Sequence, residues 1–222
     1  MFNINPTPFD VRLVAFRVPI RVHPSFWIVM ALLGWNPERP QLTFIFVACA
    51  FFSVLVHELG HALTSEWFGW PTLIVLHFFG GVAVSDRYRN NTPGRSILVS
   101  LMGPGAGFLF WATIRLVEAV FNHQHILEYE YRAYVFAYLR MMNWYWSVFN
   151  LIPVLPLDGG HVCHSLCELL RLRNPLGVAL VIGVAVSGAA AYYFLHYRDE
   201  QMAGMIMIML CFQSVMGLQS RR

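Results

Sequence analysis

Charge-free runs separated by short polar breaks dominate the chain. They cover Val22 to Asn36, Pro40 to His57, Ser96 to Ile114, Met141 to Leu157, Asn174 to Tyr197 and Gln201 to Ser220. Roughly 20 apolar residues rising 1.5 Å each cross a hydrocarbon core about 30 Å thick, so these runs predict about six membrane helices. The first run is short for a full crossing and is expected to tilt, or to insert only in part. Two stretches follow a different period. From Phe16 to His23 the apolar Phe16, Val18, Ile20 and Val22 alternate with Arg17, Pro19, Arg21 and His23, the pattern of a strand with one greasy face. Pro19, lacking a backbone donor, places that strand at an edge or in an irregular pairing. From Thr72 to Asp86, β-branched and aromatic residues run into Gly80-Gly81 and then Val82-Ala83-Val84, which reads as a hairpin. The fold class expected is an all-α membrane protein of about six transmembrane helices, with a small membrane-associated β-hairpin or sheet.

Composition agrees: 57% of residues are hydrophobic and 12% charged, against about 25% charged in soluble domains. All 15 basic residues are Arg, and they are unevenly spread. With the N-terminus inside, Arg12, Arg17, Arg21, Arg87, Arg89, Arg95, Arg171, Arg173, Arg221 and Arg222 fall on the cytoplasmic side, while Arg39, Arg132 and Arg198 fall outside. That bias predicts cytoplasmic termini in a multi-pass protein of the cell membrane. Arg115 and Arg140 are left in or near helices, where they must snorkel or pair. The charge therefore reports orientation in a lipid bilayer, and no basic, aromatic-interleaved patch points to nucleic acid. Asp10, Arg12 and Arg17 interrupt any apolar core a cleavable signal peptide would need.

Within the second run lies His57-Glu58-Leu59-Gly60-His61. Two imidazoles four residues apart share one helix face and can seize one Zn²⁺, while the carboxylate beside them can activate water. With 9 His in the chain, chance supplies this motif only about 0.01 times. Burying two imidazoles and a carboxylate without a ligand would be costly, so packed core histidines are a poor explanation. A catalytic zinc needs a third protein ligand and an open fourth position. Asp158 is the best candidate: it follows Asn150-Leu151-Ile152-Pro153-Val154-Leu155-Pro156-Leu157 and precedes Gly159-Gly160. Helix geometry cannot simply continue through two prolines, and irregular backbone at membrane depth survives only where protein or a wet cavity covers it. An ordinary Asp-Gly turn would also explain Asp158 taken alone.

The two segments together, in this order and about 100 residues apart, resemble the site-2 proteases, intramembrane zinc metalloproteases of peptidase family M50. Phe79-Gly80-Gly81-Val82-Ala83 and Ser100-Leu101-Met102-Gly103-Pro104 add to the likeness, which extends loosely over residues 16 to 170. The resemblance implies that His57, His61 and Asp158 hold one zinc per chain. It further implies that Glu58 is the general base and that Asn150 stabilises the oxyanion or positions substrate. It also implies a single membrane-embedded domain over 1–222, with a catalytic core at about 40–170 and two accessory helices in 174–220. The substrate implied is a membrane-spanning protein. In the family the hairpin lies near the site, so Gly80 and Gly81 are candidates to hold an unwound substrate by strand addition; a hairpin that only caps the bundle is the alternative. There are departures. Where many relatives carry an Asn after the Gly-Pro pair, this chain offers Gly105, Ala106 or Gly107. The spacing leaves no room for a PDZ domain between the second and third runs, and the form expected is a minimal one without a cystathionine-synthase-type regulatory module.

The other chemistry-bearing residues read as structural. Cys49 and Cys211 lie in apolar spans. Cys163 and Cys167, beside His161 and His164, make a second metal site conceivable, with helix packing the better reading. His77 is taken as a structural histidine, and His123 and His125 as solvated. The rival function is a noncatalytic zinc-binding retention or assembly factor. Glu58 argues for the enzyme, because a structural zinc site has no use for a base and closes its fourth position.

Overall fold

The computed structural model describes residues 5–85, 90–120, 130–198 and 200–220. The elements run β1 (Val11–Ala15), β2 (Val18–Val22), α1 (Pro24–Leu33), α2 (Pro40–Trp67), β3 (Thr72–His77), β4 (Gly80–Ser85), α3 (Pro93–Val120), α4 (Glu130–Asn150), α5 (Asp158–Leu169), α6 (Pro175–Tyr197) and α7 (Gln201–Gln219). They fall into two compact units, one within 1–89 and 102–147, the other within 90–101 and 148–222. His123, His125, Arg87, Arg89, Arg221 and Arg222 lie outside the described residues.

In the first unit the four strands form one sheet in the order β1-β2-β3-β4. Phe16 and Arg17, both at positive φ, make the two-residue turn between β1 and β2. The greasy face expected of β2 is there: Val18, Ile20 and Val22 are buried, whereas Phe16 is exposed in the turn. β2 is nevertheless interior, antiparallel to β1 and parallel to β3, so of the edge or irregular pairing expected from Pro19 the edge does not occur. The physical reason lies in register. Pairing with β3 starts at Ile20, so Pro19 faces only Val14 of β1 and needs no donor on the other side. The hairpin expected from Thr72 forms with the antiparallel pairs Thr72↔Ser85 to His77↔Gly80.

Four helices, α2, α3, α6 and α7, are long and apolar enough to cross a membrane. The chain is thus a membrane protein by its helices, and the count of about six is not reached among the described residues. The run Val22 to Asn36 folds largely as β2's end and the ten-residue α1, about 15 Å long. The run Met141 to Leu157 is split: its first part completes α4, whose N-terminal half carries Glu130, Arg132 and Arg140, and its remainder is the irregular segment expected after Asn150. In the second unit α6 and α7 pack closely through small residues, Gly183 against Ser214 and Gly217 against Leu180. Arg115 and Arg140 find the partner their position required: both guanidiniums donate to the buried carboxylate of Glu118, at 3.1 and 2.7 Å.

Candidate metal centre

Helix α2 packs on β3 and β4, and its last three turns carry His57, Glu58 and His61. All three are buried, at 2%, 4% and 8% exposure. The two imidazoles present their Nε2 atoms to each other at 3.2 Å. Two nitrogens each about 2.0–2.1 Å from a tetrahedral Zn²⁺ would stand roughly 3.3–3.4 Å apart, so the rings already have the spacing a shared metal demands. One turn earlier, Asn143 of α4 donates to Ser53 at 2.9 Å, which fixes α4 against α2. Trp146, next along α4, meets the His57 ring edge to face at 6.3 Å.

Asp158 is the first residue of α5, a position where a carboxylate complements the helix dipole. Gly159 and Gly160 let that helix start directly against the backbone of residues 151–155. Among the described residues one group of three could hold a metal ion, His57, His61 and Asp158, each offering one ligand atom and all of these within 4.8 Å of one another. Two imidazoles and one carboxylate are the donor set of a catalytic zinc with its fourth position open, so the residues present fit the ion. Asn150 ends α4 and is buried. The second metal site conceived around Cys163 and Cys167 is not among such groups.

The family model "Peptidase family M50" matches residues 117–194, a stretch that contains Asn150 and Asp158 and lies downstream of both histidines. A Synechocystis sp. protein bearing a provisional zinc metalloprotease name is 33% identical over 74% of this chain and 46% of its own length. Stage IV sporulation protein FB of Bacillus subtilis is 32% identical over 74% of this chain and 56% of its own. The site-2 protease from Methanocaldococcus jannaschii has the same fold, with a TM-score of 0.61 over 95% of both chains at 20% identity. In sequence the chain is similar to peptidase family M50, and in fold to that site-2 protease. It spans about half the length of the curated relatives it matches.

Two contacts at this centre escaped sequence reasoning. A Cβ added to Gly81 of β4 would lie 2.8 Å from both Cδ and Oε1 of Glu58 and closer still to its Cγ. A Cβ added to Gly103 of α3 would lie 2.8 Å from Cδ2 of His61 and closer to Cε1 and Nε2. The glycines themselves were visible as Gly80-Gly81 and Gly103-Pro104, but nothing in their spacing said which side chains they face. Gly80, at φ +118°, closes the hairpin under Trp146. His77 stays apart from the metal group; burial, with His23 second, holds its pKa below the ordinary value. Its Nδ1 accepts from the Phe79 N–H at 3.3 Å.

Proposed function

We propose that this chain is a zinc metalloendopeptidase that cleaves membrane-spanning segments of other proteins. The observation that carries the reading is the buried His57-Glu58-His61 face, with its imidazole nitrogens converging at 3.2 Å, in a helix apolar enough to span a bilayer. Zn²⁺ held by His57, His61 and Asp158 would supply Lewis acidity, polarising a peptide carbonyl and acidifying water. The rest of the chemistry belongs to the chain. Glu58 takes a proton from the attacking water as its oxygen bonds to the carbonyl carbon, and the same proton goes to the departing amine nitrogen as the C–N bond breaks. Asn150 steadies the carbonyl oxygen or the segment bearing it. A helical substrate hides its carbonyls in hydrogen bonds, so it must unwind first, and the β4 edge around Gly80 and Gly81 offers backbone to receive it as an added strand. The whole of 1–222 acts as one membrane-embedded domain, with α6 and α7 accessory to a core at about 40–170.

Comparative membrane proteomics of the unmodified protein against Glu58→Gln tests this reading. A spanning protein should accumulate uncut only with the variant; identical profiles would favour the noncatalytic zinc protein instead. The arginine bias adds an orientation, with both termini and the α5 loop in the cytoplasm. Arg171→Cys in a background without the four native cysteines should resist an impermeant thiol reagent applied to intact cells, and labelling there would overturn the topology.

A further inference from the structure

Two glycines from different elements stand against the functional face of α2, each opposite a different side chain. We propose that Gly81 and Gly103 are separate positioning residues of one centre, Gly81 setting the carboxylate of the base Glu58 and Gly103 setting the imidazole of the ligand His61. The assignment rests on the proteolytic reading only for what Glu58 does, since the geometry is independent of it.

A real Cβ essentially never approaches another heavy atom within 3.0 Å, so a methyl at either position requires movement. At position 81 the obstructed atoms include Cγ, midway along the side chain of a residue that is 4% exposed. The carboxylate cannot swing into solvent and must leave its position. At position 103 the obstruction is the edge of the His61 ring, including the Nε2 that faces His57. A methyl there presses on the nitrogen that must bind metal. Neither effect comes from backbone strain, because neither glycine has positive φ. Alanine at 81 also keeps the backbone N–H, so strand addition at the β4 edge stays available. Proline at 81 would remove the donor and crowd Glu58 together, and so cannot separate the two roles. Gly105, two residues past Gly103, has nothing within 4 Å of an added Cβ.

The test is a pair of double-mutant cycles on the full chain, read by zinc content, kcat and KM on a spanning substrate, and Tm. Gly81→Ala should keep zinc and KM while kcat falls on the order of 10²-fold, the scale set by a displacement of about 1 Å. Gly103→Ala should weaken zinc binding roughly 10- to 100-fold, as loss of an orienting partner does, and alter the visible spectrum of the cobalt-substituted protein. Gly105→Ala should change neither. Each methyl should lower Tm alone and cost nothing further once its target is removed, so that Gly81→Ala/Glu58→Ala melts with Glu58→Ala and Gly103→Ala/His61→Ala melts with His61→Ala. A Gly103→Ala protein that fails to fold is judged by its double variant. Additive losses of Tm, an unchanged kcat in Gly81→Ala, or zinc loss in Gly81→Ala equal to that in Gly103→Ala would overturn the assignment. If the unmodified protein cleaves nothing, the proteolytic reading fails while the Tm cycles still decide the positioning.

Discussion

Two helices of this protein carry metal-binding residue types at helical spacing, and the contrast between them shows what spacing alone leaves out. Helix α2 presents His57 and His61 one turn apart; α5 presents Cys163 and Cys167 one turn apart, with His164 between them and Glu168 one turn beyond His164. On α2 the two donors converge at 3.2 Å and are buried, and bare glycine backbone stands against His61 from α3 and against the neighbouring Glu58 from β4. On α5 Cys163 is half-buried and burial, with Cys167 second, raises its thiol pKa, which disfavours the thiolate a metal requires. His164 leans toward Glu168 at 3.7 Å, in a pair that an exposed helix surface explains. A metal face thus needs clearance and a converging third donor, and neither is written in an i, i+4 repeat.

The largest effects should come from breaking the α2 set. His57→Ala and Asp158→Ala should each strip the purified protein of zinc and abolish cleavage, whereas Glu58→Gln should keep full zinc and lose cleavage by about 10²- to 10⁴-fold, the range of a general base. Metal analysis alongside a cleavage assay checks all three. Full zinc in Asp158→Ala would remove Asp158 from the ligand set and leave the two imidazoles of α2 without a third donor. Zinc loss in Glu58→Gln would make Glu58 a ligand and erase the distinction between base and metal donor.

How much of this was legible beforehand follows the range of the interactions. The charge-free run from Pro40 and the motif at its end lie in one helix, Pro40–Trp67, because apolar length and motif period are local properties. The β3–β4 hairpin was equally local. The place of β2 was not: whether Pro19 sits at an edge depends on where β3 begins to pair, and β3 is separated from β2 by two helices. The run from Met141 to Leu157 misled for a related reason. Absence of charge marked it as a span, yet α4 begins eleven residues earlier among charged residues and ends at Asn150, where Pro153 and Pro156 forbid more helix. At the site, the candidate donors were readable as residue types, while the clearance around them was not. Gly81 against Glu58 and Gly103 against His61 are contacts between elements, and a glycine in a sequence does not name what approaches it.

The smallest effect sharpens the contrast from the α5 side. If Cys163, His164 and Cys167 are packing and surface residues, replacing them should leave zinc content at one per chain and change cleavage by less than about twofold. Cys163→Ser/Cys167→Ser is the more demanding version, since Cys167 is buried and a hydroxyl placed in its site needs a hydrogen-bond partner. That substitution is expected to lower stability by about 1–3 kcal/mol through the unsatisfied hydroxyl, while Cys167→Ala, which adds no polar group, should cost less. Thermal unfolding separates the two, and metal analysis of the same samples supplies the decisive reading. A drop in zinc with either variant, at unchanged His57, His61 and Asp158, would mean that the Cys163–Cys167 face holds metal after all and that clearance is not what distinguishes the two faces.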